Sequence, residues 1–350
     1  MDLFLHRSMP QMLAKNKNKK MWFENLTGFK EENPDQVRLN LEISGNTLIS
    51  KVNGAKYNFG RLEVASLDEL KNQSPTLETY KSKIHIEEVI GNIQTFHKEK
   101  SNNGAFFQAA SQFNLLEMVA PSVTPERGVG IYEKDFTQGP ACAIACGAGT
   151  IYRNYFANVN GKIGQSSNNQ IDCLIDVGIT LNNENSKLWK MSNGYVLASV
   201  EGLKNITKQI RNCSEEEYEK LKGKLRIGLQ WDTEVTIGEG KNLVTQAYCS
   251  ALPIDYSCVE LEYWTDFARL ILDATYEATF FAALLNYHKT GNNKVFITLV
   301  GGGAFGNRID WIIDAIRKSI YKFANTPLDV KIVSYGSSNP SIRGYCNYKR

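Results

Sequence analysis

Apolar residues recur at helical spacing in the last third of the chain. Between positions 261 and 288 they form one broad stripe, which predicts a single long helix. Further on, Lys294–Val300 predicts a strand, isoleucines from 312 to 320 predict a helix, and Val330–Ser334 predicts the next strand. A strand, a helix and a strand at this spacing predict two parallel strands joined by a right-handed crossover.

Shorter apolar runs predict strands in the first two thirds of the chain. The run Ala105–Ser111 has no helical period and predicts a buried strand. Gly139-Pro140 opens an Ala-rich segment, 140–156, that predicts a helix, and another helix is predicted at Glu215–Lys222. The other predicted strands are Val37–Ile43, Thr47–Val52, Lys56–Phe59, Leu62–Val64, Ile171–Val177, Tyr195–Ser199, Leu225–Val235 and Leu243–Ala251. This order predicts one α/β domain that carries an inserted segment.

Composition and charge narrow the classes of partner. The 350 residues include 40 Lys and Arg against 37 Asp and Glu, and a net charge of +3 is too balanced to indicate a nucleic-acid or membrane partner. No apolar run approaches the roughly 18 residues of a membrane-spanning helix, and the first residues lack the apolar core of a signal peptide. We therefore expect a cytoplasmic protein whose residues 1–35, including the basic stretch 15–20, form a tail or an extension.

Cysteine and histidine spacing predicts neither a disulfide framework nor a metal site. The chain is long and its seven cysteines are an odd number. Cys142 and Cys146 lie four residues apart, without a second cysteine pair or a histidine at the spacing of a zinc site. We therefore expect no metal and no cofactor.

A glycine-rich loop, Gly301–Asn307, lies between a predicted strand and the isoleucine-rich helix. Glycine amides approach a phosphate closely and a helix N-terminus favours the anion, so we interpret this loop as a pyrophosphate site in which Asn307 caps the helix. The glycine spacing matches the dinucleotide fingerprint. However, the next strand ends at Ser334-Tyr335 without the acidic residue that holds the ribose, which disfavours a nicotinamide-dependent oxidoreductase. The alternative is a tight strand-to-helix turn without a ligand.

A loop rich in acidic residues follows the predicted strand at 105–111. It contains Asn114 and the carboxylates of Glu117, Glu126 and Asp135, with prolines and glycines between them that allow it to bend. Ligands of open α/β sheets bind beyond the carboxyl ends of the strands. Carboxylates there position water and pair with cations such as guanidinium. We therefore interpret this acidic loop as a candidate catalytic segment, with a solvated surface loop as the alternative.

The glycine loop and the acidic loop together resemble the macrodomain. Four stretches are similar to its arginine-specific ADP-ribosyl hydrolase branch, which is related to poly(ADP-ribose) glycohydrolases: Phe107–Glu117, Ser122–Glu126, Thr137–Ile151 and Leu299–Ile316. This resemblance implies an α/β fold, a macrodomain-like three-layer α/β/α sandwich with a mixed sheet. It also implies a single domain over residues 36–350, with the N-terminal extension before it and a β-rich insertion at about 160–260.

The resemblance further implies hydrolysis of the N-glycosidic bond that joins ADP-ribose to an arginine side chain of a modified protein. The implied catalytic residues are Glu117, Glu126 and Asp135. Asn114 would hold the distal ribose and Tyr335 would lie near adenine or ribose. The full set of implied ligand-binding residues is Asn114, Gly301, Gly302, Gly303, Ala304, Phe305, Gly306, Asn307 and Tyr335.

Two alternatives remain within this family. One is an ADP-ribose-binding macrodomain without catalysis, which would share the glycine loop but would not need three carboxylates. The other is an enzyme of the poly(ADP-ribose) glycohydrolase type. The signature of those enzymes, Gly-Gly-Gly followed by Gln-Glu-Glu, is missing here, which favours the arginine-linked substrate.

Overall fold

A computed structural model describes residues 21–347, so the basic stretch at 15–20 lies outside the described residues. The α-helices are α1 Trp22–Thr27, α2 Pro34–Asn40, α3 Leu67–Gln73, α4 Ile93–Lys98, α5 Gln138–Ala145, α6 Gly147–Tyr155, α7 Ile175–Thr180, α8 Val200–Asn212, α9 Glu215–Gly223, α10 Leu261–Thr290, α11 Ile309–Lys322 and α12 Pro340–Asn347. The strands are β1 Leu41–Ser44, β2 Thr47–Ser50, β3 Lys56–Asn58, β4 Arg61–Ser66, β5 His85–Ile90, β6 Phe106–Ala110, β7 Asn158–Val159, β8 Lys162–Ile163, β9 Trp189–Ser192, β10 Tyr195–Ala198, β11 Arg226–Glu234, β12 Leu243–Cys249, β13 Lys294–Ile297 and β14 Asp329–Ser334.

Seven of these strands form the central sheet of the described chain, in the order β4-β11-β12-β6-β13-β14-β5. The strands from β12 to β5 are parallel neighbours, whereas β11 runs antiparallel to β12 and to β4. The sheet is therefore mixed, and the predicted parallel pair around the isoleucine-rich helix is confirmed as β13 and β14. Because the carboxyl ends of five parallel neighbours meet at one edge, their loops share a common surface there.

Helices cover both faces of the sheet, as the alternation of side chains along β6 shows. The ring of Phe107 stacks on His97 of α4, with 3.8 Å between ring centroids. The next side chain, Gln108, points the other way and donates a hydrogen bond to Thr279 of α10 at 2.8 Å. Successive side chains of a strand face opposite sides of a sheet, so α4 and α10 belong to different layers. The predicted three-layer α/β/α architecture with a mixed sheet is thereby confirmed.

A second hydrophobic core joins the N-terminal segment to the rest of the domain. Phe23 and Val37 are buried in one cluster with Met118 and Tyr132 of the acidic loop and with Ile151 of α6. Residues 21–35 therefore form an ordered extension that packs over the acidic loop. Burying these apolar side chains stabilises the loop as well as the extension, at roughly 25 cal/mol per Å² of apolar surface.

The predicted strand Val37–Ile43 is confirmed at residues 41–43, which belong to β1, and is wrong at residues 37–40; the predicted strand Ile171–Val177 is wrong. The predicted strand Val37–Ile43 begins inside α2, because the side chain of Asn33 accepts a hydrogen bond from the Gln36 amide and Pro34 occupies the first turn. The predicted strand Ile171–Val177 is a loop that continues into α7. Both strand predictions rested on apolar residues alone, and short apolar runs do not distinguish strand from helix.

The predicted helices are present, with differences at their ends and one interruption. The long helix is α10, and α9 begins with a capping box between Ser214 and Glu217. The predicted helix over 140–156 starts at Gln138 and is divided into α5 and α6 at Cys146, whose backbone leaves the helical region with φ −118° and ψ 61°. Helix α8 was not predicted.

The segment predicted as an insertion contains two kinds of structure. Strands β11 and β12 belong to the central sheet. Residues 158–212 lie outside that sheet and hold two hairpins, β7–β8 and β9–β10, together with α7 and α8. None of the helices described for residues 21–347 combines the length and the apolar character needed to cross a membrane.

Candidate active site

A cleft follows the carboxyl edge of the parallel strands. Its larger cavity, of about 770 Å³, is lined by residues that follow β5 and β14 and by the start of α5. The smaller cavity, of about 230 Å³, is lined by residues that follow β6, β12 and β13. The cavities adjoin, since both are lined by Asp135, Thr137, Gln138, Thr298 and Leu299. The cleft thus lies where open α/β sheets bind their ligands.

The glycine loop forms one wall of the smaller cavity. Gly301 and Gly306 have φ values of 79° and 72°, in the left-handed region that favours glycine. Among the described residues, no acceptor receives a hydrogen bond from the consecutive amides of Gly303, Ala304 and Phe305, and these residues line the cavity. Consecutive unpaired amides at the edge of a sheet make an anion-binding concavity, as the sequence predicts for this loop.

Asn307 shapes the glycine loop instead of capping the following helix. The residue before α11 is Arg308, and no side chain caps that helix end. The Nδ2 atom of Asn307 donates to the carbonyl oxygen of Leu252 at 2.8 Å and to that of Gly301 at 3.3 Å. The amide of Asn307 is therefore used inside the protein, and its side chain lies outside the lining of the smaller cavity.

Glu117 is a buried carboxyl in the wall of the smaller cavity. Only 3% of its surface is exposed, and Oε1 has no hydrogen-bond partner among the described residues. Burial raises the pKa of Glu117 well above its ordinary value of 4.5, opposed by a hydrogen bond with Ser111 and by the charge of Arg153. This side chain therefore keeps its proton to higher pH than an exposed glutamate does, as acid–base groups of active sites do.

Gly139 allows the Glu117 side chain to lie where it does. A Cβ atom at Gly139 would come within 1.8 Å of the Ala110 carbonyl oxygen and 2.4 Å of Glu117 Oε2. Any side chain there would collide with the backbone of β6 and displace the carboxylate. The Gly139-Pro140 pair, which suggested a helix start, thus also leaves room for the candidate catalytic group.

Asp135 lies at the junction of the two cavities and lines both. Its Oδ1 atom accepts hydrogen bonds from the amide of Thr137 at 2.9 Å and from the hydroxyl of Thr137 at 2.7 Å. These two bonds fix the direction of the carboxylate. Within residues 21–347, no three His, Cys, Asp or Glu side chains come together in a metal-binding arrangement.

The structure does not bring Glu126 or Asn114 into the cleft, contrary to their assigned roles. Oε1 of Glu126 accepts a hydrogen bond from the Ser167 amide at 2.7 Å, and Glu126 lies outside both cavity linings. Asn114 is fully buried; its Nδ2 donates to Gln170 at 2.9 Å and its Oδ1 accepts from the Leu116 amide. Both side chains hold the acidic loop against residues 165–170, a contact that sequence spacing does not predict.

Aromatic side chains complete the cleft: Phe305 and Tyr335 are among the residues the resemblance implies, whereas Tyr195, Tyr256 and Phe136 are not. Tyr195, Tyr256 and Phe305 line the smaller cavity, with ring centroids 4.9 to 5.6 Å apart. At the larger cavity, Phe136 and Tyr335 are 94% and 81% exposed. Tyr195 comes from the β9–β10 hairpin, 60 residues after Asp135, so no local pattern connects it with the site.

Comparison with known proteins gives structural neighbours only. No protein-family model matches the sequence, and no curated protein matches it. One similar solved structure is poly(ADP-ribose) glycohydrolase from Thermomonospora curvata bound to the inhibitor ADP-HPD, with 9% identity, a TM-score of 0.44, and coverage of 90% of this chain and 95% of that chain. Another is the enzyme from Deinococcus radiodurans in complex with ADP-ribose, with 6% identity, a TM-score of 0.43, and coverage of 80% and 90%.

Proposed function

We propose that this protein hydrolyses the glycosidic bond between ADP-ribose and an arginine side chain of a modified protein. One observation carries the proposal: the carboxyl groups of Glu117 and Asp135 line the same small cavity as the three unpaired amides of the glycine loop. Unpaired amides suit a pyrophosphate, and two carboxyl groups suit a reaction at a neighbouring glycosidic carbon. A site that only bound ADP-ribose would not need a buried carboxyl with a raised pKa.

The two cavities suggest how the ligand lies. Their volumes, about 770 and 230 Å³, suit a ligand of nucleotide size. The adenosine half occupies the larger cavity, where the exposed rings of Phe136 and Tyr335 offer apolar faces. The pyrophosphate lies on the amides of Gly303–Phe305, and the distal ribose enters the smaller cavity beside Glu117.

The chemistry follows from the charge of the leaving group. An arginine-linked ADP-ribose carries a guanidinium, so the leaving group already holds its proton, and it pairs with the carboxylate of Asp135. Glu117 then acts as the general base, because a carboxylate with a raised pKa accepts a proton more readily than an ordinary glutamate does. Water adds its oxygen to the anomeric carbon, its proton passes to Glu117, and the bonding electrons leave with the guanidine nitrogen.

A second candidate is cleavage of an O-glycosidic bond, as in poly(ADP-ribose). The raised pKa of Glu117 favours it, because a carboxyl that keeps its proton is suited to protonate a departing oxygen. In that case Glu117 is the general acid and Asp135 faces the attacking water.

A substrate panel combined with a pH profile separates the two candidates. We expect the protein to release ADP-ribose from arginine-linked conjugates, with kcat/KM rising with pH as Glu117 loses its proton. Release from serine-linked conjugates or poly(ADP-ribose), with kcat/KM falling as pH rises, would establish the second candidate. Mass analysis of the products measures both, and the absence of release from every conjugate would contradict hydrolysis altogether.

Binding of free ADP-ribose is expected to stabilise the fold. Ligand at 100 times its Kd adds about 2.7 kcal/mol to the free energy of unfolding, which a thermal melt detects as a raised Tm. We expect NADH to raise the Tm less, because its nicotinamide would meet the carboxyl groups of the smaller cavity. A larger shift with NADH than with ADP-ribose would instead indicate a nicotinamide cofactor site.

A further inference from the structure

A carboxylate of the N-terminal extension is inserted into the acidic loop. Oε1 of Glu31 accepts hydrogen bonds from the Val129 amide at 3.0 Å and the Tyr155 hydroxyl at 2.7 Å, and Oε2 accepts one from the Gly130 amide at 2.6 Å. Three donors from two other segments thus converge on one side chain. Burial raises the pKa of Glu31 above its ordinary value of 4.5, and these three hydrogen bonds oppose that rise by favouring the carboxylate.

The acidic loop leaves space for this carboxylate through two glycines. A Cβ atom at Gly128 would lie 2.5 Å from Glu31 Oε2, and a Cβ atom at Gly130 would lie 2.7 Å from it. Gly128 also has a φ of 88°, which side chains disfavour. The absence of side chains at Gly128 and Gly130 therefore leaves the space that the Glu31 carboxylate occupies.

The same segment leads directly to both candidate catalytic carboxyls. The Tyr132 hydroxyl, two residues after Gly130, accepts a hydrogen bond from the Glu117 amide at 3.0 Å. Asp135 follows at the end of the short helical turn Gly130–Lys134. The Val129–Gly130 backbone is therefore connected to the Glu117 backbone through Tyr132 and to Asp135 through the chain itself.

We propose that Glu31 is a positioning residue for Glu117 and Asp135, so that the N-terminal extension forms part of the catalytic apparatus. This inference rests on the proposed hydrolase function. Glu31 lies outside both cavity linings, so it acts through the acidic loop and not by touching the ligand. Misplacing a catalytic group by about 1 Å costs up to about 100-fold in rate.

The test compares Glu31→Gln with Glu32→Gln in the full-length protein. Glutamine at 31 keeps one acceptor oxygen, but its NH2 group is a donor and would face the N–H donor of Gly130 or Val129. Glu32 is exposed and serves as the matched control. We expect Glu31→Gln to lower kcat roughly 10-fold or more with KM changed less than about threefold. Hydrogen exchange at Val129 and Gly130 should become faster. Glu32→Gln should match the wild type in every measurement.

Tyr155→Phe provides a second test if Glu31→Gln folds poorly. It removes one of the three donors with little change in volume, so we expect a smaller loss in kcat in the same direction. Unchanged kcat in a folded Glu31→Gln or Tyr155→Phe variant, or equal losses in kcat and ADP-ribose affinity, would overturn the positioning role. If the wild type hydrolyses no conjugate, the proposed function fails, and hydrogen exchange at 129–135 still decides whether Glu31 holds the loop.

Discussion

Replacing Glu117 by glutamine is expected to lower kcat on arginine-linked ADP-ribose by about 10²–10⁴-fold, the usual contribution of a general acid or base. The affinity for free ADP-ribose should change little, because the proposed pyrophosphate site is the glycine loop, which follows a different strand, β13. An interaction made mainly in the transition state lowers kcat and leaves ground-state binding in place. Steady-state kinetics and calorimetric titration of ADP-ribose measure the two effects separately.

The Tm of Glu117→Gln shows whether a loss of activity comes from the missing carboxyl or from unfolding of the protein. The folded-state pKa of Glu117 lies above its ordinary value of 4.5, so the neutral form is the one that favours folding, and this contribution is lost as pH rises. At neutral pH the unfolded chain carries an ionised Glu117, so burying this side chain costs free energy. Glutamine is neutral and avoids that cost, so we expect an unchanged or raised Tm. Glu126→Gln, in the same loop but outside the cleft, should keep most of the activity. If both variants lose equal activity, the assignment of Glu117 is wrong.

Replacing Gly303 by glutamate is expected to weaken ADP-ribose binding by at least about 100-fold. The carboxylate of the new side chain would then lie beside the unpaired amides of Gly303, Ala304 and Phe305, where the pyrophosphate is proposed to bind. Placing these two negative charges together costs several kcal/mol, and each 1.4 kcal/mol equals tenfold in affinity. A Cβ atom at Gly303 has no neighbour within 4 Å, so the fold should remain intact. Titration calorimetry measures the affinity and thermal melting measures the fold.

Gly303→Ala is the matched control for this variant. It adds a methyl group to the same open space without charge, and we expect a much smaller loss of affinity. Gly302 is a less suitable position, because a Cβ atom there would lie 3.0 Å from Ile312 Cδ1 and its amide already donates to the Leu299 carbonyl. ADP-ribose binding by Gly303→Glu within threefold of the wild type would remove the glycine loop from the ligand site.

Most of the central sheet and its long helices could be predicted from sequence because their signals are local. The apolar stripe of α10 and the run of β6 each extend over enough residues to reveal their period or its absence. The pattern wrongly predicts strand at residues 37–40 and 171–177, because the apolar runs there are short. Side-chain capping at Asn33, and not hydrophobicity, decides the conformation at the start of α2.

The candidate site was predictable where one segment supplies both the residue and its neighbours. The glycine loop is such a segment: Gly303, Ala304 and Phe305 line the smaller cavity, and their binding of a pyrophosphate stays a prediction. The positions of the three carboxyls of the acidic loop could not be predicted in the same way. Their spacing could not show that Glu117 and Asp135 line the cleft while Glu126 accepts a hydrogen bond from Ser167, because the cleft and the contact with Ser167 form only when distant segments pack together.

The sequence by itself determined most strands of the central sheet, the long helices α10 and α11, the glycine loop and the acidic composition of the loop after β6, since these depend on residue type and short-range spacing. Only the tertiary structure decided which carboxyls line the cleft, that Tyr195 lines it too, and that Glu31 accepts hydrogen bonds from Val129 and Gly130, about 100 residues away. The physical reason is that burial and hydrogen-bond partners are properties of packed elements. A carboxyl acquires its raised pKa and its direction only when distant segments enclose it.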